Sequence, residues 1–217
     1  YYWGWSKELD WGYFSKPPLV AALIAATTAL FGDGLLGVKA GSLIFYPATA
    51  VLIYGLGRRL YDERCGTIAA FAFLTLPITA ALGLFISTDA PLLFFWCAAL
   101  WLLHEAIGQG RLRDWLLLGL TCGLGLMSKY TMGAFLLTAL PLLVATPEGR
   151  AHLRRPGPWL AVLIALLLLS PNLWWNFKHD FPTFRHTADI TRVDGGREHS
   201  SNLFEFLGAQ LGSIGPL

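Results

Sequence analysis

Apolar residues fill most of the chain in long runs that few charged residues interrupt. A helix needs about 20 mainly apolar residues to cross the hydrocarbon core of a bilayer. Several runs approach or exceed that length, and the pattern predicts about six membrane helices between residues 35 and 175. The predicted helices cover residues 35–57, 65–86, 91–103, 115–127, 132–145 and 159–169, the last running on toward Trp175.

The apolar run over residues 17–31 is too short to cross the membrane. Pro17 and Pro18 suit the first turn of a helix, because that turn needs no N–H donors from them. Residues 1–15 hold three tryptophans and three tyrosines, and such residues favour the interface between headgroups and acyl chains. Residues 1–34 are therefore predicted to form an external loop with interfacial or re-entrant helices.

The chain becomes polar after the last apolar run. Residues 176–200 predict an external loop, and residues 201–217 predict the start of a further helix, for which Ser200-Ser201-Asn202 offers N-cap chemistry. Because this helix is cut off and the first residue is not methionine, we expect a fragment of a longer membrane protein. The whole chain is predicted to form a single all-α, multi-span domain.

The composition agrees with an integral membrane protein. The 217 residues are 55% hydrophobic and only 14% charged, whereas about 25% charged residues is typical of a soluble domain. A net charge of +2 gives no support to a nucleic-acid partner. The three cysteines lie within apolar segments, without the spacing of a metal site or a disulfide framework.

Arginines in three short loops predict which ends of the helices face the cytoplasm, because short cytoplasmic loops carry an excess of Lys and Arg. If the intervening helices alternate in direction, residues 1–16, Asp89, Lys129 and His179 share the opposite face of the membrane. The alternating directions of the helices agree with these positions only if residues 17–31 do not cross the bilayer. The arginines concerned are Arg58, Arg59, Arg64, Arg111, Arg113, Arg150, Arg154 and Arg155.

Asp89 is the first candidate for chemistry on that opposite face. A carboxylate between two apolar spans is energetically costly, which makes it a functional candidate. The alternative is a helix cap, because Asp89 precedes a predicted helix with Pro91 in its first turn. The two roles are compatible, since a cap uses only one carboxylate oxygen.

Lys16 and Lys129 are the lysines next to short, non-spanning helices on the same face. Two ammonium groups would suit a phosphate, because each lysine offers a point charge with rotatable donors. The alternative is that both side chains snorkel to the membrane surface.

The segment from Trp174 to Asp180 places aromatic and polar residues at the end of the last predicted span. Tryptophans at this depth usually form an interfacial belt. His179 beside Asp180 is a weak indication of a general base or a metal ligand. One carboxylate and one histidine do not define a metal site, so the question of a divalent metal cofactor stays open.

Five segments of the chain carry a pattern that recurs in a known family: Tyr1-Tyr2-Trp3, Trp11-Gly12-Tyr13-Phe14-Ser15-Lys16-Pro17-Pro18-Leu19, Ser87-Thr88-Asp89-Ala90-Pro91, Gly125-Leu126-Met127-Ser128-Lys129-Tyr130-Thr131 and Trp175-Asn176-Phe177-Lys178-His179-Asp180-Phe181. In this order they resemble bacterial glycosyltransferase family 39. That family is related to dolichyl-phosphate-mannose protein mannosyltransferases and to the aminoarabinose transferases that act on lipid A. The resemblance covers nearly the whole chain.

The resemblance implies a GT-C fold, in which a multi-span helical domain holds its active site at the periplasmic or lumenal face. It implies transfer of a sugar from a polyprenyl-phosphate donor to an acceptor hydroxyl of a lipid, glycan or protein, with inversion, in the bacterial inner membrane. It also implies that Lys16 binds the donor phosphate or leaving group. Asp89 would be the acidic residue of the second external loop.

The remaining site residues are assigned on the same resemblance. The donor phosphate is expected to contact Lys16, Lys129 and Tyr130, and the acceptor or headgroup is expected to contact Tyr2, Trp175, Asn176 and His179. The family's principal acidic pair, Asp-Glu, usually comes immediately before the Tyr-Tyr, and this chain begins at Tyr1. The chain by itself is therefore expected to be inactive.

Two other functions stay open on the residues alone. Broken helices and buried charges also mark transporters, such as a flippase for lipid-linked sugars. Against a transporter, the charges gather at one face and no internal repeat is visible. A non-catalytic membrane scaffold is the third hypothesis.

Overall fold

The computed structural model describes residues 1–191 and 199–214, and within these ranges every regular element is a helix. This confirms the predicted all-α class. The elements in chain order are α1 (Tyr2–Trp5), α2 (Leu19–Phe31), α3 (Leu35–Leu60), α4 (Glu63–Thr75), α5 (Pro77–Gly83), α6 (Asp89–Gln109), α7 (Leu112–Ser128), a 3-10 helix (Tyr130–Gly133), α8 (Ala134–Ala145), α9 (Pro147–Leu153), α10 (Pro156–Lys178), α11 (Pro182–Thr191) and α12 (His199–Ile214).

Helices α3, α6 and α10 are each long and apolar enough to cross a membrane. Two bent pairs meet the same requirement when each pair is taken together: α4 with α5, bent by 60°, and Tyr130–Ala145 with α9, bent by 108°. The described residues therefore contain three to five candidate spans, where the sequence pattern predicts about six. Helix α7, at the remaining predicted position, has 17 residues and packs between α6 and α10.

The predicted single helix over residues 65–86 is interrupted in the structure. Helix α4 ends at Thr75 and α5 begins at Pro77, with Leu76 between them at φ −55° and ψ 129°. Proline disfavours helical backbone at the residue before it and has no N–H to continue the hydrogen-bond ladder. The predicted span over residues 65–86 thus contains a break at Pro77, and the two helices are long and apolar enough to cross a membrane only when they are taken together.

The segment after the last span is more helical than predicted. Helix α10 continues through Lys178, and α11, with 10 residues, lies inside the range predicted as an external loop. Asp180 and Phe181 form the turn between the two helices, with φ of 59° and 55°. Residues 192–198 of the predicted loop lie outside the described residues, and α12 follows them.

Helix α2 has 13 residues, which gives a length of about 20 Å against a hydrocarbon core of about 30 Å. Its inner face, formed by Val20, Ala21 and Ile24, is fully buried, and the helix packs on α1 and α3. The structure confirms an apolar helix at this position that is too short to span.

Helix α7 lies against both α6 and α10. Small residues permit the close approach to α10: a Cβ added at Gly119 would meet the backbone oxygen of Ala161 at 2.5 Å, and one at Gly123 would meet the side chain of Leu168 at the same distance. Small residues play this part in many packed membrane helices. The packing fixes the end of α7 and therefore the position of Lys129, which follows it.

Contacts at the two ends of α6 show which loops lie together. Helix α6 has 21 residues, so its ends are about 30 Å apart. Asp89 is its first residue, whereas near the other end Glu105 Oε1 pairs with Arg59 Nε at 2.8 Å and the Ile107 carbonyl contacts His152 Nε2 at 3.0 Å. The arginine-rich segments around α3–α4 and α9 thus lie at the end of the helices away from Asp89.

Candidate active site at one end of the helices

Asp89 and Lys129 form an ion pair. The Lys129 ammonium donates to Asp89 Oδ1 at 2.7 Å, and the two side chains are 29% and 32% exposed. The sequence places the two residues on one face without indicating that they touch. In this structure Lys129 is therefore not a free cation, and a phosphate would have to compete with Asp89 for it.

The structure does not support the capping role for Asp89. Helix α6 begins at Asp89, and Thr88 occupies the N-cap position without a side-chain cap bond. Asp89 lies in the first turn, where the unpaired N–H groups and the helix dipole favour a negative charge. Ser87 Oγ accepts from the Asp89 N–H at 3.2 Å and lies 3.5 Å from Asp89 Oδ2.

Tyr2 lies beside this pair. Burial raises the pKa of the Tyr2 phenol, the charges of Tyr1 and Asp89 raise it further, and a hydrogen bond with Thr88 partly offsets them. The phenol therefore stays protonated at neutral pH, close to Thr88 and within the electrostatic influence of Asp89. A direct contact of Tyr2 with an acceptor or headgroup stays a prediction.

Tyr130 belongs to a buried amide network that extends to the N-terminal arm, which we define as residues 6–16. Its hydroxyl donates to Asn172 Oδ1 at 2.5 Å and accepts from Asn176 Nδ2 at 3.2 Å. Asn172 Nδ2 donates to the Trp11 carbonyl at 2.7 Å. A phenol has one donor, and here Asn172 occupies it, so Tyr130 has no proton to donate to a phosphate.

The predicted headgroup contacts have different environments in the structure. Asn176 is fully buried, and its Nδ2 donates to the Tyr130 hydroxyl and to the Asn172 carbonyl; a contact of Asn176 with the acceptor or headgroup stays a prediction. Trp175 donates from Nε1 to Asp10 Oδ2 at 2.6 Å and stacks on His179 with ring centroids 4.2 Å apart. His179 is exposed and contacts the Trp175 carbonyl through Nδ1 at 2.8 Å.

Further contacts hold the N-terminal arm against α10 and α11. A Cβ added at Gly12 would collide with the indole ring of Trp175, so this close approach requires glycine. The buried Thr183 hydroxyl donates to the Tyr13 carbonyl at 2.8 Å. Near the end of the arm, the Ser15 hydroxyl forms a hydrogen bond with the Tyr1 hydroxyl at 2.9 Å. These contacts determine where Lys16 emerges.

Lys16 is half-buried, and its backbone carbonyl accepts from the Tyr13 N–H at 3.2 Å. Within the part of the chain that the structure describes, its ammonium has no hydrogen-bond or ion-pair partner. A half-buried cation without a counter-charge is well suited to an anionic ligand.

Metal binding finds no support in the clustering of side chains. Over residues 1–191 and 199–214, no group of three or more His, Cys, Asp or Glu side chains could hold an ion. The structure therefore does not decide whether the protein uses a divalent metal cofactor, and the sequence leaves the same question open.

Asn172, Asp10 and Ser87 are site residues that the sequence did not single out. Asn172 is an amide inside an apolar span, and polar groups at that depth need partners, so its position was an available indication. Asp10 lies in a polar segment, where nothing in the pattern distinguishes it from a solvated residue. Ser87 belongs to the motif around Asp89, but the pattern assigns it no contact of its own.

Asp33 anchors helix α1 to the turn between α2 and α3, which leads to a pH prediction. A hydrogen bond from Lys7 lowers the pKa of Asp33, and a second from Trp3 Nε1, 2.7 Å from Oδ1, adds to it. Because the folded-state pKa is lowered, the anchor is present at neutral pH and is lost as the pH falls through that value, below the ordinary 3.8.

The measurement is amide hydrogen exchange of Trp5, Ser6, Lys7 and Glu8, whose N–H groups bond within and just after α1. Protection factors, corrected for intrinsic rates, should hold from pH 7 to about pH 4 and then fall. Asp33→Asn should lower protection at every pH, whereas unchanged protection in this variant would contradict the anchor.

The fold and the residues gathered at this end define a class. A multi-span helical membrane domain of this architecture has the GT-C fold. The chain belongs to the dolichyl-phosphate-mannose-protein mannosyltransferase family, whose sequence profile matches residues 15–175.

Curated relatives agree with this assignment. The lipid A galacturonosyltransferase RgtD of Rhizobium johnstonii is 34% identical over 218 residues, which is 100% of this chain and 46% of that protein. The undecaprenyl phosphate-alpha-4-amino-4-deoxy-L-arabinose arabinosyl transferase 1 of Pseudomonas fluorescens is 34% identical over 171 residues, covering 73% of this chain and 30% of that protein. The chain thus spans less than half the length of these relatives.

The crystal structure of ArnT from Cupriavidus metallidurans in the apo state has a similar fold. It matches with a TM-score of 0.72 at 18% sequence identity, over 98% of this chain and 42% of that one. At this identity the match supports the fold, and it confirms the predicted GT-C architecture.

Proposed function

We propose that the full-length protein is a membrane glycosyltransferase that transfers a sugar from a polyprenyl-phosphate donor to an acceptor hydroxyl, with inversion. The observation that carries the proposal is the Asp89–Lys129 pair. Tyr130 and Asn172 connect it to the N-terminal arm, where the half-buried Lys16 has no ion-pair or hydrogen-bond partner among the described residues. A carboxylate and unpaired positive charge are the two components that this reaction needs.

In the proposed reaction the acceptor oxygen forms a bond to the anomeric carbon while the bond from that carbon to the phosphate oxygen breaks. The electron pair leaves with the polyprenyl phosphate, and Lys16 stabilises the developing negative charge. The acceptor proton passes to a carboxylate within hydrogen-bond reach. Asp89 takes part in positioning or deprotonating the acceptor, and Lys129 turns from Asp89 toward the phosphate.

The names of the relatives support a lipid-linked donor and a lipid acceptor. One relative is named for undecaprenyl phosphate-linked aminoarabinose and another for lipid A. Exposed aromatic side chains at this end of the chain, Trp3, Trp11 and Phe14, suit the headgroup interface, where both lipids would present their polar groups. We propose a lipid as the acceptor, with a glycan or a protein as the alternatives.

We propose the inner membrane as the location, with this end of the helices facing the periplasm. The support is the gathering of arginine-rich segments around the opposite end of α6, since such segments favour the cytoplasmic side. Cysteine labelling with a membrane-impermeant maleimide at Trp11→Cys, in a variant that lacks the three native cysteines, tests this orientation in spheroplasts.

The function is tested with the full-length gene product in detergent, where no gradient can drive transport. Undecaprenyl phosphate carrying a radiolabelled sugar is supplied with lipid A, and labelled lipid A is measured. Formation of labelled product supports a transferase. Donor binding without product, together with donor movement in reconstituted vesicles, would favour a flippase instead.

Lys16→Gln should lower the transfer rate about a hundredfold, because it removes one charge-assisted donor to the leaving phosphate. Lys178→Gln is the matched control: Lys178 is the last residue of α10, at the same end of the helices, is exposed, and its ammonium lies 5.2 Å from the centroid of the Trp174 ring. The control should keep the wild-type rate. Equal transfer rates in the two variants would show that Lys16 does not take part in the reaction.

A further inference from the structure

Tyr46 carries a hydroxyl that the fold alone does not explain. The residue lies within span α3 and is only 4% exposed. Within the described residues its hydroxyl oxygen has no hydrogen-bond partner. Buried hydroxyl groups at hydrocarbon depth nearly always have a partner, so a partner that a small rearrangement supplies would explain this one.

Tyr46 lies close to the segment that leads to the start of α6. On the same face of α3, Ser42 donates to the Phe85 carbonyl at 2.5 Å, so this face lies under the segment that leads to α6. A Cβ added at Gly83 would lie 4.0 Å from the Tyr46 ring, which places the ring beside the same segment, and the electrostatic influence of Ser87 and Asp89 on the phenol agrees with this position. The phenol therefore approaches the Asp89 region from the membrane interior.

Ser87 offers a hydroxyl two positions before Asp89. Its Oγ is 3.5 Å from Asp89 Oδ2, longer than an ordinary O–H···O bond. Lys129 occupies the other carboxylate oxygen, Oδ1. Asp89 Oδ2 therefore has only this long contact with Ser87, and the Tyr46 hydroxyl has no hydrogen-bond partner among the described residues.

We propose that Tyr46 is a positioning residue for Asp89. When the donor phosphate draws Lys129 away, Tyr46 donates to Ser87 and Ser87 donates to Asp89 Oδ2, so the carboxylate stays ionised and oriented. This inference rests on the proposed function, because a phosphate is the group that competes for Lys129. Among the described residues, Lys129 pairs with Asp89, and the phenols of Tyr2 and Tyr46 lie within the electrostatic influence of the Asp89 carboxylate.

Tyr46→Phe in the full-length protein is the first test. We expect kcat/KM for transfer to fall about tenfold. The acidic limb of its pH profile should move to higher pH, because the loss of a donor weakens the ionised form of the carboxylate. The thermal midpoint without ligand should stay unchanged or rise, since the hydroxyl that is removed has no partner there. A merely structural hydroxyl would lower this midpoint and leave the pH profile in place.

Tyr54→Phe is the matched control on the same helix. The Tyr54 hydroxyl lies 3.5 Å from Glu63, toward the arginine-rich end of α3, and its loss should change neither activity nor pH profile. Undecaprenyl phosphate alone should raise the thermal midpoint of the wild type and of Tyr54→Phe more than that of Tyr46→Phe.

The outcomes separate the two proposals. Failure of the wild type both to transfer sugar and to respond to undecaprenyl phosphate would count against the function itself. A wild type that responds, with Tyr46→Phe matching it in both ligand shift and pH profile, would overturn the role of Tyr46 while leaving the function intact.

Discussion

Replacing Asp89 with asparagine in the full-length protein should lower the transfer rate on the order of a thousandfold. The substitution keeps the size and shape of the side chain but removes the charge that pairs with Lys129 at 2.7 Å and that could accept the acceptor proton. The measurement is the initial rate of labelled-sugar transfer at saturating donor, with thermal unfolding recorded on the same preparations.

A second variant distinguishes chemistry from architecture. Asp89→Asn alone leaves the Lys129 ammonium partly buried without its partner, which should lower the thermal midpoint. Adding Lys129→Gln removes the unpaired charge and should restore the midpoint without restoring transfer. Recovery of the transfer rate in the double variant would mean that the pair is purely structural.

Asn172→Leu should destabilise the protein by about 2–4 kcal/mol and release the N-terminal arm. Leucine has a similar volume, so the loss comes from two hydrogen bonds, one to the Trp11 carbonyl at 2.7 Å and one from the Tyr130 hydroxyl at 2.5 Å. Both partners are then left without their bonds in a buried region. Thermal unfolding measures the first effect, and faster hydrogen exchange over residues 10–14 measures the second.

Ser170→Ala serves as the control for this variant. Ser170 lies on the same helix, and its hydroxyl donates only to the Leu167 carbonyl of the preceding turn, at 2.8 Å. The loss of this hydroxyl should change the free energy of unfolding by less than about 0.5 kcal/mol. If Asn172→Leu behaved like this control, the amide network would not be what holds the arm.

Much of the architecture is readable from the sequence, because length and hydrophobicity decide whether a segment can span. The shortness of α2 and the long apolar helices α3, α6 and α10 follow from counts of apolar residues alone. The grouping of Asp89 with Lys129 follows from the arginine loops. Chain order and charge are sufficient for these statements.

Helix breaks are less predictable. Pro77 separates two helices, whereas Pro47 and Pro171 lie inside continuous ones. The same residue type has both outcomes because neighbouring helices, not the proline alone, decide whether a freed carbonyl can be satisfied. Helix α11 is similar, since its polar composition favours a loop while its packing under the N-terminal arm, through Thr183, favours a helix.

Pairings within the site depend on tertiary structure that the pattern does not contain. Asn172 and Trp11 are 161 positions apart, and Asp89 and Lys129 are 40 apart. Hydropathy predicts that these residues lie at one end of the helices, but it does not predict which of them touch. For that reason the sequence treats Lys129 and Tyr130 as two phosphate contacts, whereas the structure gives each of them a protein partner.

Lys129 and Tyr130 are consecutive, yet one pairs with Asp89 and the other holds the amide network that reaches Trp11. Under the proposed function, a backbone movement that brings the Lys129 ammonium to the donor phosphate would also move Tyr130, the anchor of the arm. If the arm contacts the acceptor, donor and acceptor affinities are then coupled, and thermodynamic linkage requires that coupling to be reciprocal. The donor would change the affinity for the acceptor by the same factor as the acceptor changes the affinity for the donor.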